Sequence, residues 1–102
     1  MNDKALNLLG MARRADKISL GHDASVAAIK DGKARLCILS SDASERLKNE
    51  METLCDSRKT DHKVFERTMD EFGAALGCKT TAVLTVNDRG FAERLAQLIR
   101  EE

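Results

Sequence analysis

The chain has 102 residues, 42% of them apolar and 33% charged, which supports one core with a well-solvated surface. A single domain over residues 1–102 is expected, and its 17 Lys and Arg against 17 Asp and Glu argue against a non-specific nucleic-acid condenser while leaving room for a local basic patch. Its longest apolar runs are about five residues against the ~20 of a membrane span, and Met1-Asn2-Asp3-Lys4 lacks the charged-then-apolar pattern of a signal peptide, so a cytoplasmic protein without a membrane partner is expected.

Residues 3–15 read as a helix with Leu6 and Leu9 on one face and Ala5 and Ala12 beside them. Residues 17–20 (Lys-Ile-Ser-Leu) read as a short strand, after which Gly21 turns the chain. A helix over about 23–31 carries Val26 and Ile29 inward and stops at Gly32, a position suited to a left-handed cap. Residues 35–39 are an apolar run typical of a strand covered on both faces. Asp42 and Glu45 resemble a capping box, followed by Leu47, Met51, Leu54 and Cys55 at i, i+4, i+7 and i+8. Residues 63–67 read as a strand around Val64 and Phe65. Thr68-Met69-Asp70-Glu71 is a full T-x-x-E box that opens a short helix through Phe72, Ala75 and Leu76, ended by Gly77. Residues 80–86 form the clearest strand, and Asn87 or Asp88 caps a last helix with Phe91, Leu95, Leu98 and Ile99 on one face. Glu101-Glu102 reads as a fraying tail. Helix and strand alternate throughout, which implies an α/β/α sandwich: a four-stranded sheet with helices on both faces. Ligands of such sheets bind where loops and helix N-termini gather at one end.

Catalytic chemistry is missing from the pattern. There is no G-x-x-x-x-G-K-[ST], no G-x-S-x-G and no H-E-x-x-H. Cys37, Cys55 and Cys78 form no C-x-x-C pair and no ligand cluster with His22 or His62, so three reduced, mostly buried thiols are expected, with no metal and no cofactor. Carboxylates fall mainly in caps and on helix faces. Phe65, Phe72 and Phe91 all occupy core positions of the pattern, which disfavours base stacking on exposed rings. One stretch stands out. Arg13, Arg14, Lys17, Lys30, Lys33 and Arg35 face Asp16, Asp23 and Asp31, an excess of three bases over residues 12–35. Gly21 leads there into a helix N-terminus, whose N–H groups and dipole attract phosphate. The same residues also fit an ordinary turn on a solvated, charged face.

Three blocks carry a wider resemblance. The first is Ala12-Arg13-Arg14-Ala15-Asp16-Lys17-Ile18 through Gly21, with Ala28-Ile29-Lys30-Asp31-Gly32-Lys33-Ala34-Arg35-Leu36. The others are Ser40-Ser41-Asp42-Ala43-Ser44 and Thr68-Met69-Asp70-Glu71-Phe72-Gly73-Ala74-Ala75-Leu76-Gly77. In order and spacing, over nearly the whole chain, they resemble the family of ribosomal proteins L-seven-Ae and L-thirty-e, and more narrowly its small bacterial YlxQ-type branch. The resemblance implies a three-layer α/β/α sandwich with a four-stranded mixed sheet. It also implies non-enzymatic binding of structured RNA, a kink-turn or similar internal loop in ribosomal or regulatory RNA. In that family a G-T-N-E-x-x-K motif at the second helix makes the contacts, its Asn and Glu reading guanine edges and its Lys reaching guanine or phosphate. Carried over by position, Gly21 matches the Gly, while His22 stands at the Thr, Asp23 at the Asn, Ala24 at the Glu and Ala27 at the Lys. Asp23 accepts from a guanine N–H but cannot donate as Asn does. Lys17 is kept. Cys78, Lys79 and Thr80 occupy the distal loop that packs on an extruded base, without the usual Pro, and Met69 replaces a common Lys after Thr68. These positions, with Arg13, Arg14 and Lys33, form the expected RNA-facing set. The altered readers and the neutral net charge support a second reading, a protein-interaction module of the same fold without RNA binding; beside structured RNA, the ribosome or other proteins are the expected partners.

Overall fold

In a computed structural model, which describes residues 3–101, the Asp3 carboxylate accepts the Leu6 N–H at 3.0 Å and caps helix α1 (Lys4–Arg14). Met1 and Asn2 of the N-terminal tetrapeptide and Glu102 of the tail lie outside the described residues. The remaining elements are β1 (Ile18–Leu20), α2 (Gly21–Lys30), β2 (Leu36–Ser40), α3 (Glu45–Arg58), β3 (Asp61–Phe65), α4 (Met69–Leu76), β4 (Val83–Val86) and α5 (Arg89–Arg100). The order of helix and strand is the expected one. No described helix is long and apolar enough to cross a membrane.

Several boundaries differ from the pattern, each for a local reason. Helix α2 starts at Gly21 rather than residue 23, because Gly21 takes φ +85° and makes the turn and the first helical residue one position. Gly32 takes φ +73°, as its capping role requires. The Asp42–Glu45 capping box does not form. Ser44 is the cap of α3, its hydroxyl accepting the Leu47 N–H at 3.1 Å, and Asp42 instead accepts the Met69 N–H at 3.0 Å, at the start of α4. The Thr68–Glu71 box forms in both directions, and Gly77 ends α4 at φ +71°. Strand β4 is shorter than residues 80–86, because the Cys78 N–H donates to the Gly73 carbonyl and holds the preceding loop against α4. Strand β3 lies two residues earlier than expected, in parallel register with β2, and the Arg67 N–H closes a turn on the Phe65 carbonyl.

The sheet order is β1-β4-β2-β3, with β2 and β3 parallel and the other pairs antiparallel, so the sheet is mixed. Side chains on β2 and β4 alternate between two cores. Leu36, Ile38, Leu84 and Val86 pack with Ala5 and Leu9 of α1, Phe72 and Leu76 of α4, and Ala92 and Leu95 of α5. Cys37, Leu39 and Val83 pack on the other face with Ala28 and Ile29 of α2 and Met51 and Cys55 of α3. Phe65 and Phe72 are fully buried with ring centroids 6.0 Å apart, while Phe91 is only half-buried at the rim of its core. All three cysteines are free, Cys37 and Cys55 buried and Cys78 half-buried. The contact with Cys55 and burial both push the Cys37 thiol up, away from reactivity.

Register divides the sheet into two ends. At one, Leu20 faces Leu84, Leu39 faces Val83 and Ser40 faces Phe65. At the other, Ile18 and Leu36 both face Val86, and Leu36 faces Asp61.

Candidate nucleic-acid interface

Helices α2, α3 and α4 all begin at the Leu20–Ser40–Phe65 end, where the chain leaves β1, β2 and β3. The loop before β4 returns to the same end, since the Ser40 N–H donates to the Ala82 carbonyl at 2.9 Å. The Ser41 N–H donates to the Arg67 carbonyl, and Asp42 accepts the Met69 N–H of α4, so the starts of α3 and α4 are tied together. In register terms, Gly21, Ser41, Thr68 and Thr81 share one rim of the molecule.

One start on this rim differs from the rest. Asp3, Ser44, Thr68 and Asp88 cap α1, α3, α4 and α5 with side-chain oxygens. Helix α2 has Leu20 as its cap residue and no side-chain hydrogen bond. The first N–H groups of a helix have no partner within it. In α2 they are left to solvent or to an external anion, aided by the helix dipole. A Cβ built on Gly21 would meet nothing within 4 Å, so the approach to this turn is open. Asp23, Ala24 and Ala27 are exposed along one strip of the helix, at i, i+1 and i+4. Ser25, one position on, is buried and donates to the Ser19 carbonyl at 3.4 Å, which holds α2 against β1.

His22 lies between two carboxylates. Its Nε2 is 2.6 Å from Glu50 Oε2 on α3, and its Nδ1 is 3.0 Å from Asp23 Oδ1. Hydrogen bonds to Asp23 and Glu50 hold the imidazole above the ordinary histidine value. Glu50 was invisible to motif reading. It is 28 residues from His22 in sequence, and its only signal was an exposed position on the outer face of α3.

The expected residues do not all converge. Gly21, His22, Asp23 and Ala24 form the exposed start of α2. Thr68 and Met69 start α4 on the same rim, Met69 half-buried with its N–H on Asp42. Lys79 and Thr80 are exposed in the returning loop, with Cys78 half-buried behind them. Arg13 and Arg14 are in the last turn of α1. The Arg14 guanidinium and the Ala75 carbonyl both lie within 3.3 Å of the point where a Gly10 Cβ would stand, which places Arg14 on the α4 side. Lys17 and Lys33 belong to the opposite end. The Lys17 carbonyl accepts from Asn87, and Lys33 follows the C-terminus of α2, about 15 Å of helix away from Gly21. The cations of the basic stretch therefore gather at the end of the sheet opposite Gly21, where α1 and α2 end and the Arg35 N–H donates to the Val86 carbonyl.

One group of side chains outside this rim has the composition of a metal site. Ligand atoms of Glu52, Asp56 and His62 lie within 4.8 Å of one another at the far end of α3. His62 Nε2 is 3.2 Å from Asp56 Oδ1, and a surface hydrogen bond accounts for that closeness.

A model of the ribosomal protein L7Ae/L30e/S12e/Gadd45 family matches residues 3–96. The chain is 33% identical over 92 residues to the RNA-binding protein YlxQ of Bacillus subtilis (strain 168), covering 90% of this chain and 91% of that one. Among solved structures, a protein with unknown function from Bacillus halodurans C matches with TM-score 0.92 and 36% identity, over 97% of this chain and 99% of that one. The Giardia lamblia 15.5kD RNA binding protein matches with TM-score 0.77 at 17% identity, over 99% of this chain and 89% of that one, a likeness of fold.

Proposed function

The chain belongs to the ribosomal protein L7Ae/L30e/S12e/Gadd45 family, which is non-enzymatic, and from that premise we propose that it binds structured RNA in the cytoplasm as a single domain. Its target on this reading is a kink-turn or a similar internal loop of ribosomal or regulatory RNA. The observation that carries the reading is the uncapped, open N-terminus of α2 on the rim shared by α3, α4 and the loop before β4. Free N–H groups and the dipole receive a phosphate there, and the exposed strip of Asp23, Ala24 and Ala27 faces the groove. Lys79 and Thr80 reach the other side of the bound segment. Affinity comes from few phosphate contacts, because Lys17 and Lys33 stand at the opposite end. About two to four counterions are released, so affinity falls by roughly one to two decades between 50 and 200 mM salt.

A gel-shift panel tests this at one salt concentration, with a kink-turn duplex, a plain duplex of equal length and a single strand. We expect the kink-turn to bind at least about tenfold more tightly than either control, the equivalent of one well-made base contact. Equal affinity for the three RNAs would remove the kink-turn from the reading. The two carboxylates of Asp23 and Glu50 at the start of α2 favour a second reading, a protein-interaction module, and binding to none of the RNAs selects it.

A further inference from the structure

Both ring nitrogens of His22 rest on carboxylate oxygens, at 2.6 Å for Nε2 and 3.0 Å for Nδ1. Ionised carboxylates only accept hydrogen bonds, and a neutral imidazole has a single N–H. Both contacts are hydrogen bonds at the same time only when both nitrogens carry protons, so the arrangement favours the imidazolium. Its two partners are not equivalent. Asp23 is the next residue on the same helix and its side chain is fully exposed. Glu50 comes from a different helix and its side chain is about half-exposed, so it ties the ring to α3.

We propose that His22 is the cation through which the start of α2 contacts RNA phosphate, and that Glu50 is the residue that positions its ring. The inference rests on the RNA-binding reading above. A phosphate oxygen takes the place of Asp23 Oδ1 at Nδ1, one anionic oxygen for another, while Glu50 keeps Nε2. Asp23 then turns outward, free to accept from a base edge. The unpaired N–H groups of the first turn of α2 flank the same oxygen. The helix offers no other cation nearby, since positions 23, 24 and 27 are Asp, Ala and Ala.

The charged groups that act on the ring are few. Asp23 comes from α2 itself and Glu50 from α3, with Arg46 one turn before Glu50. Strands β1 and β4, which also pack on α2, contain no charged residue. Protonation of His22 is thus governed by Asp23 and Glu50, both of which raise its titration point. A bound phosphate favours the charged ring further. Affinity is highest where the imidazolium is intact and declines as pH rises through its titration.

The test is a titration of a fluorescent kink-turn RNA at fixed salt between about pH 6 and pH 8, where histidine is the side chain that changes charge. Wild type, His22→Gln, Glu50→Gln and His62→Gln are compared, the last because His62 is the other histidine of the chain. We expect wild type and His62→Gln to lose about tenfold in affinity across the range, the worth of one charge-assisted contact. His22→Gln binds weakly and without a pH slope. Glu50→Gln retains the slope but moves it to lower pH. Retention of the slope by His22→Gln, or a flat wild-type profile with good binding, overturns the phosphate contact while leaving the RNA reading intact. An unmoved slope in Glu50→Gln removes Glu50 as the positioning residue. Wild type that binds no RNA at any pH overturns the RNA reading, and the contact with it.

Discussion

Asp3 ties the start of α1 to the turn before α4 through one carboxylate. Its Oδ1 accepts the Leu6 N–H and caps α1, while its Oδ2 accepts from Arg67 Nε at 2.6 Å, 64 residues away. The Arg67 guanidinium lies 4.7 Å from the centre of the Phe65 ring, so one arginine is held by charge and by an aromatic face. Burial pushes the Asp3 carboxyl up, but the Leu6 N–H and the Arg67 guanidinium outweigh it and hold the group below the usual carboxylate range. A depressed carboxyl adds stability above its unfolded pKa of about 4, and that stability is lost as pH falls through the lower folded value. We therefore expect Asp3→Ala to cost about 1–2 kcal/mol at neutral pH, the worth of a lost cap. That corresponds to roughly 5–15 °C in Tm for a domain of this size. In melts taken at successively lower pH the gap between the two proteins should shrink in acid. A gap of constant size would show that the carboxylate charge contributes nothing. The sequence pattern counts Asp3 as the first residue of the helix, and the structure makes it the cap. Its partner could not be read from the sequence, because nothing local points across 64 residues.

Among the elements, α4 and the loop behind it show why some features were legible and others were not. The Thr68–Glu71 box, the Gly77 stop and the Phe72–Leu76 face are all within one turn or two of sequence, and all are present. Asp42 followed by Glu45 carried the same local signature and did not form, because Ser44 was nearer to Leu47 and Asp42 was drawn to Met69. Local patterns fix which caps are available, and tertiary neighbours choose among them. The loop before β4 depends on Gly73 in a way no pattern displays. A Cβ at that position would stand 2.2 Å from the Lys79 carbonyl oxygen. Gly73→Ala must push the loop away from α4, at an expected cost of about 1–3 kcal/mol for an overpacked contact. Because Lys79 and Thr80 move with it, RNA affinity falls too. Gly77→Ala is the control, since its Cβ meets nothing and only the φ of +71° is strained, at roughly 1–2 kcal/mol. Melting curves and RNA titrations of both variants check this. Equal RNA affinity in the two would show that the loop takes no part in binding.

At the scale of the whole molecule, the sequence pattern displayed the alternation of nine elements but not their arrangement. Strand β4 inserts between β1 and β2, and that order rests on pairings between residues far apart in the chain, such as Ile18 with Val86. The same arrangement sets Lys17 and Lys33 at one end of the sheet and Gly21 at the other, with β1 and α2 running between them. It also brings Glu50 to His22, which composes the α2 start from two helices. The central claim is therefore one of place: RNA is received on the rim where α2, α3 and α4 begin. The most direct measurement is an NMR titration of the isotope-labelled protein with kink-turn RNA, following backbone amides throughout the chain. The account predicts the largest shifts at residues 21–24, 41–44, 68–69 and 78–81, with the uncapped amides of α2 foremost. Shifts centred on residues 33–36, 58–61 and 87–90, at the opposite end of the sheet, would contradict it.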